Sequence, residues 1–153
     1  MTSKTPKVPL ARLSALVLRT LVDDMHERLA QRGFRDVGSN FGYVLLELRS
    51  RALGVNDVAR LLGVTKQAAS KVLTSMLESG YLRPAATDDQ RARPVELSPR
   101  GRQLLAAVEE IYGELEAEWA EVIGAKRVES IRADLTAVLL ARHGTLPSVR
   151  PTS

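Results

Sequence analysis

From about residue 10 to residue 143, apolar residues recur near every 3.6 positions, and glycines break the pattern at intervals. That period is one face of an α-helix, so the chain is expected to be mainly helical. Cysteine is absent, which removes disulfides, thiolate catalysis and Cys-ligated zinc or iron–sulfur as organising devices. The chain has 153 residues, 44% hydrophobic and 26% charged, which suits one compact domain and argues against wholesale disorder or fibrous structure.

The first helix is predicted from about Pro9 to Arg32, with Leu13, Val17, Leu21, Met25 and Leu29 spaced four apart and Gly33 as its stop. Leu16, Leu18 and Val22 fall outside that stripe, so a second surface has to cover this helix. A second helix starts after Ser39 or Asn40 as cap and carries Phe41, Val44, Leu45 and Leu48. After Gly101 a long helix carries Leu104, Val108, Ile111, Leu115, Trp119 and Val122, and Val128, Ile131, Leu135 and Val138 mark another, ending near His143. A chain this short offers little core for three long stripes, so helices from its two ends are expected to intertwine with those of a second copy.

The stretch from Val55 to Pro84 constrains function most. Asn56 is expected to cap a short helix holding Val58, Ala59, Leu61 and Leu62, with Gly63 and Val64 turning before Thr65 caps a second helix through Glu78. In that second helix Ala69, Val72, Leu73, Met76 and Leu77 form the buried stripe, and Thr65, Lys66, Gln67, Ser70, Lys71 and Thr74 lie opposite. A helix fits the major groove of duplex DNA, where Gln binds adenine bidentately, Lys reaches guanine or phosphate, and Ser or Thr serves either base. Two extended segments follow, around Leu82 and around Val95, with a tip at Ala85 to Arg93. Arg91 and Arg93 on that tip are placed to enter a neighbouring minor groove, and the adjacent aspartates to aim Arg91 rather than to face phosphate themselves. The fold class is therefore mainly α: a winged helix-turn-helix with a small β-hairpin wing, and terminal helices forming a dimerisation region.

The residues Val58-Ala-Arg-Leu-Leu-Gly-Val-Thr-Lys-Gln-Ala, then Leu77-Glu-Ser-Gly-Tyr-Leu-Arg, then Asp89-Gln-Arg-Ala-Arg-Pro-Val-Glu-Leu-Ser-Pro-Arg-Gly resemble the MarR family of bacterial transcription regulators. The most specific part is the wing, with Asp89, Arg91, Val95, Leu97, Ser98 and Gly101, and Glu116-Ala-Glu-Trp ahead of Ile123-Gly124 is similar to a subgroup. The resemblance implies a two-fold homodimer on pseudo-palindromic double-stranded DNA, with repression relieved by a small aromatic or anionic effector near the junction of dimer and DNA-binding parts. Residues 1–9 and 144–153 are then tails expected to be flexible, and 10–143 a single winged-helix regulator domain. Within it, about 10–50 and 104–143 are dimerisation helices and about 55–100 the DNA-binding part. Two features depart from the family pattern. Pro84 and Pro94 each remove an N–H from a wing strand, predicting a short or bent hairpin, and Gln90 stands where a basic residue is common.

Charge agrees with this division. Lys plus Arg is 22 against 18 for Asp plus Glu, a formal charge of +4, and Leu104 to Ile123 carries only acids. The middle of the chain suits phosphates, and the segment after it does not. No metal site, cofactor or catalytic set is expected: the two histidines, His26 and His143, lack ligand-like partners, and there is no nucleophile elbow, phosphate loop or dinucleotide fingerprint. No apolar run approaches the roughly 20 residues of a membrane span, and no signal-peptide core precedes residue 10, so the expected location is the cytoplasm. A helix pair of this kind also occurs as a plain corner between helices, as a winged helix that binds protein, or as a DNA binder without an effector. A protein-binding version would turn an acidic or apolar face outward from Thr65 to Thr74.

Overall fold

The computed structural model describes residues 7–89 and 91–146. Gln90 and most of both predicted tails, residues 1–6 and 147–153, lie outside the described residues. The element order is α1 (Leu10–Gln31), α2 (Phe41–Leu48), α3 (Val55–Leu62), α4 (Lys66–Glu78), β1 (Leu82–Pro84), β2 (Val95–Leu97), α5 (Pro99–Ile123) and α6 (Ala125–His143). Helix α5 is the spine: it packs on α1, α2, α6 and β2, while α3 and α4 pack on each other.

The core is one cluster at the winged-helix end. Val44, Leu45, Leu53, Val58, Leu62, Ala69, Met76, Leu104 and Ile111 are almost fully buried within it. Helix α1 contributes Leu29, with Leu21 and Met25 partly covered. Its amino-terminal half leaves Leu10, Leu13, Leu16 and Leu18 exposed, and α6 buries nothing.

Four expectations need correction. Helix α3 is capped at Gly54, not Asn56: the Asp57 carboxylate, three residues inside the cap, accepts the Gly54 N–H at 2.9 Å and closes the first turn. Asn40 does precede α2, but it is helical in φ and ψ and makes no side-chain cap bond, and its Oδ1 is buried without a partner among the described residues. Helix α5 starts at Pro99, before Gly101, because Ser98 accepts the Gly101 N–H at 3.0 Å and proline suits a first turn that needs no donor. Leu77 is 37% exposed rather than part of the α4 stripe. Helix α4 closes there with Tyr81 N–H donating to Met76 and Gly80 N–H to Leu77, a Schellman ending that turns the chain away before anything covers Leu77.

The wing is short, as its prolines predict, and the register explains which proline matters. Leu82 pairs with Leu97, Arg83 with Glu96 and Pro84 with Val95. The Val95 N–H points away from β1 and donates to Leu53 at 2.8 Å, so Pro84 stands opposite a site that has no ladder bond to lose. Pro94 faces Ala85, whose N–H it accepts at 2.9 Å without returning one. Leu53 completes the sheet as a single bridge on the far side of β2.

Candidate nucleic-acid interface

Helices α3 and α4 form the helix-turn-helix. Gly63 ends α3 at φ +65°, a left-handed turn that glycine adopts without a Cβ penalty, and Val64 N–H donates back to Ala59. Thr65 then caps α4, its Oγ1 accepting the Ala68 N–H at 3.1 Å. Burial of Ala69, Leu73 and Met76 against Val58 and Leu62 fixes the rotation of α4. That rotation brings Thr65, Lys66, Gln67, Ser70, Lys71 and Thr74 together on one exposed face.

Arg91 and Arg93 are exposed on the wing tip. The tip is tied by short-range bonds: Asp89 N–H donates to Thr87 Oγ1 at 3.1 Å, and Asp89 Oδ1 accepts the Arg91 backbone N–H at 3.0 Å. Asp89 therefore shapes the turn through the backbone of Arg91 and forms no ion pair with its guanidinium. Arg93 holds φ +40° directly before a proline, an uncommon backbone state for a residue with a Cβ. Lys66, Lys71, Arg91 and Arg93 have no ion-pair partner among the described residues, whereas Arg60 is paired with Asp57 and Arg83 with Glu96. Four cations without counter-charges, on α4 and the wing tip, leave sites for phosphate oxygens.

Gly101 sets the joint between wing and spine. A Cβ there would overlap the Tyr81 carbonyl oxygen and meet Leu97 Cδ2 at 3.3 Å, so α5 approaches the α4–β1 turn as closely as only glycine allows. Around this joint Tyr81 O–H donates to the Arg35 carbonyl at 2.8 Å, and Arg100 lies over the Phe34 ring while donating to the Gly33 carbonyl. Sequence patterning singled out Gly101 but gave no hint of the Tyr81 and Arg100 contacts, which link segments far apart in the chain.

The acidic run of α5 has a use that charge counting missed. Glu114 and Glu118 receive Arg28, Glu114 also receives Arg32, Glu109 receives Arg49, and Glu116 receives Arg132. The run ties α1, α2 and α6 to the spine. The Arg28 and Arg32 hydrogen bonds hold the Glu114 carboxyl below its ordinary range, and Arg132 does the same to Glu116. These pairs are largely solvated, so each adds little stability and mainly fixes helix register.

Between α1, the segment 37–43, α5 and α6 lies a half-open cleft of about 500 Å³, with Leu21, Met25, Leu115, Trp119, Ile131 and Leu135 among its walls. No group of three or more His, Asp or Glu among the described residues is arranged to hold a metal ion, and no described helix is long and apolar enough to cross a membrane.

Comparison with known proteins agrees with this architecture. Residues 42–92 match the model of the MarR family. The reduced form of MarR from E. coli superposes with a TM-score of 0.73 at 22% identity, over 88% of this chain and 99% of that one. MepR, a transcription regulator of the S. aureus multidrug efflux pump MepA, gives 0.67 at 21% identity, over 89% and 100%. An S. aureus MepR mutant bound to an oligodeoxyribonucleotide gives 0.60 at 20% identity, over 90% and 100%. No curated protein sequence matches the chain. The winged-helix fold expected from the residues, with its two-stranded wing, is the fold of these MarR-family regulators.

Proposed function

We propose that this chain, whose residues 42–92 are MarR-family sequence on a MarR-type fold, is a sequence-specific DNA-binding transcription regulator acting as a homodimer. The observation that carries the reading is the exposed α4 face, where Gln67 and Ser70 stand between Lys66 and Lys71, with exposed Arg91 and Arg93 on the wing that have no ion-pair partner among the described residues. In this reading α4 enters the major groove, Thr65, Gln67 and Ser70 meet base edges, and Lys66 and Lys71 reach guanine or phosphate. Arg91 and Arg93 follow the adjacent minor groove. The MepR mutant bound to an oligodeoxyribonucleotide supports it, since that protein shares the fold.

Dimerisation follows from the apolar residues that α1 and α6 leave exposed. A two-fold arrangement would present two α4 helices to a pseudo-palindromic site. The chain acts as a repressor, and a small-molecule effector in the cleft beside α5 lowers operator affinity by shifting the pair of reading heads between conformers. An outward face that is basic and polar, rather than acidic or apolar, favours DNA over a protein partner.

Genomic footprinting with purified protein tests the proposal. Protected sites with an inverted repeat, lost in the Gln67→Ala variant, support it. Uniform weak protection without a repeat would reduce the reading to non-specific binding.

A further inference from the structure

Helix α1 is held by its own chain at its carboxy-terminal half. Of its 22 residues Leu29 alone is buried, and Arg28 and Arg32 carry its ion pairs to α5. Its last turn closes as a Schellman ending, the Phe34 N–H donating to the Leu29 carbonyl at 2.9 Å and the Gly33 N–H to the Ala30 carbonyl at 3.0 Å. Gly33 and Phe34 therefore extend the helix as one rigid piece. Asp36 then holds φ +57°, a left-handed state uncommon in a residue with a Cβ, which bends the connection at a defined point.

Two side chains from the root of the wing grip this extension. Tyr81, between α4 and β1, packs its ring 6.5 Å from that of Phe34 and donates its hydroxyl to the Arg35 carbonyl at 2.8 Å. Arg100, the second residue of α5, sets its guanidinium 4.1 Å from the Phe34 ring centroid and donates to the Gly33 carbonyl at 2.8 Å. The carbonyls on either side of Phe34 are thus both taken. The two donors are locked together in turn, because the Ser98 N–H donates to the Tyr81 carbonyl at 3.1 Å beside the close approach of Gly101.

Arg100 is exposed, so its contacts add little stability, and what they fix is direction. A helix of 22 residues is about 33 Å long, so a tilt of about 5° at its gripped end moves the far end by about 3 Å, close to the base-pair rise of about 3.4 Å. We propose that Arg100, acting with Tyr81, is a positioning residue: by gripping the Phe34 extension it fixes the angle between α1 and the winged helix of the same chain, and with it the separation of the two α4 helices in the dimer. The inference rests on the homodimer reading above. Arg100 has no ion-pair partner among the described residues, and its other amino group meets the Gln103 side-chain oxygen at 3.1 Å, so the competing role is a direct phosphate contact.

The chain has no cysteine, so Ser75→Cys, exposed on α4 outside the face assigned to DNA, gives one spin-label site per chain. Double electron–electron resonance on the labelled full chain, without DNA, reads the distance between the two α4 helices. One narrow distribution is expected in the otherwise native protein, and a shift or broadening of about 3 Å or more in Arg100→Met and again in Tyr81→Phe. Arg100→Met keeps the aliphatic stem and Tyr81→Phe the buried ring, so both should retain the native far-ultraviolet spectrum and sedimentation. On a random-sequence duplex of about 30 base pairs, Arg100→Met should keep the native dependence of log affinity on log salt. A shallower slope overturns the proposal and makes Arg100 a phosphate ligand. Native distances in both variants also overturn it, leaving the homodimer reading in place. A native chain that sediments as a monomer overturns the homodimer reading and this inference with it, whereas one that dimerises but binds no duplex loses only the DNA reading, and the distances still decide the role of Arg100.

Discussion

Helix α4 and helix α6 treat the same kind of side chain in opposite ways. In α4 the apolar residues Ala69, Leu73 and Met76 are buried and the polar ones face outward. In α6 no residue is buried, and Ile131, Leu135, Val138, Leu139 and Leu140 are between 37% and 65% exposed. The winged helix is thus finished by its own chain, whereas the terminal helices are half of a structure whose other half we propose to be a second copy. Damage to the first should act at any protein concentration. Damage to the second should act through association.

Gly101→Ala gives the largest expected effect on the finished half. The new Cβ overlaps a backbone oxygen rather than a movable side chain, so the α5–wing joint has to open, at a cost of about 3–4 kcal/mol. Urea unfolding by circular dichroism measures it, with the same loss at low and high protein concentration. A loss under about 1 kcal/mol would show that the joint can shift and that its tightness is incidental. Leu135→Lys addresses the unfinished half. Covering a leucine stabilises by about 1.5–3 kcal/mol, and a lysine there adds a charge, so the variant should sediment as a monomer and melt lower. The native Tm should rise with concentration and the variant's should not. A native protein that sediments as a monomer and still binds operator would remove the comparison's premise.

This division also decides how much was legible beforehand. The helices and the exposed α4 face follow from a 3.6-residue period, which is local and survives in any context. Leu77 obeys the period yet lies exposed, because the Schellman ending, not the pattern, decides where the helix turns away. The cap of α3 was misplaced because glycine has no capping side chain to notice. Asp57 supplies the bond, and the bridge of Leu53 to Val95 fixes where the helix begins. Acids on α5 read only as a segment unsuited to phosphates, since their arginines come from α1, α2 and α6 and only folding brings them together. The candidate site was legible in its residues and not in its supports: Gln67 and Arg91 were visible from position, while the Tyr81 and Arg100 ties came from tertiary packing.

Smaller effects should separate reading from support within the winged helix. If Gln67 meets a base edge as proposed, Gln67→Ala should remove a contact worth about 1–3 kcal/mol, lowering operator affinity while leaving random-duplex affinity nearly unchanged. Fluorescence anisotropy on both duplexes checks it, and an equal loss on both would place Gln67 at the backbone. Asp57→Ala should cost about 1 kcal/mol of stability through the lost cap. The Gly54 N–H, then Arg60 and Arg51, hold the Asp57 carboxyl below its ordinary range. Its contribution is therefore complete above the unfolded value near pH ~4 and lost as pH falls through the lower folded value. The native-minus-variant difference in urea stability should hold from about pH 7 to about pH 5 and shrink toward about pH 2. A difference that grew on acidification would reverse the sign and exclude the capping account.

Arg91→Ala gives the smallest change in stability and the sharpest test of the wing. Its guanidinium is unpaired among the described residues, and Asp89 holds only its backbone N–H, so truncation should leave the turn intact. What it removes, in the proposed reading, is a charge near phosphates. Each such contact releases counterions on binding, so the dependence of log affinity on log salt should become shallower by up to about one unit per contact, doubled across a two-fold dimer. Unlike Gln67→Ala, this loss should appear on operator and random duplex alike, because phosphates carry no sequence. Asp89→Ala is the companion variant: it frees the Arg91 N–H and keeps the guanidinium, so it should blur the wing's position while leaving the salt slope close to native. If Arg91→Ala leaves affinity and slope unchanged in a folded dimer, the wing does not touch DNA, and α4 alone holds the duplex.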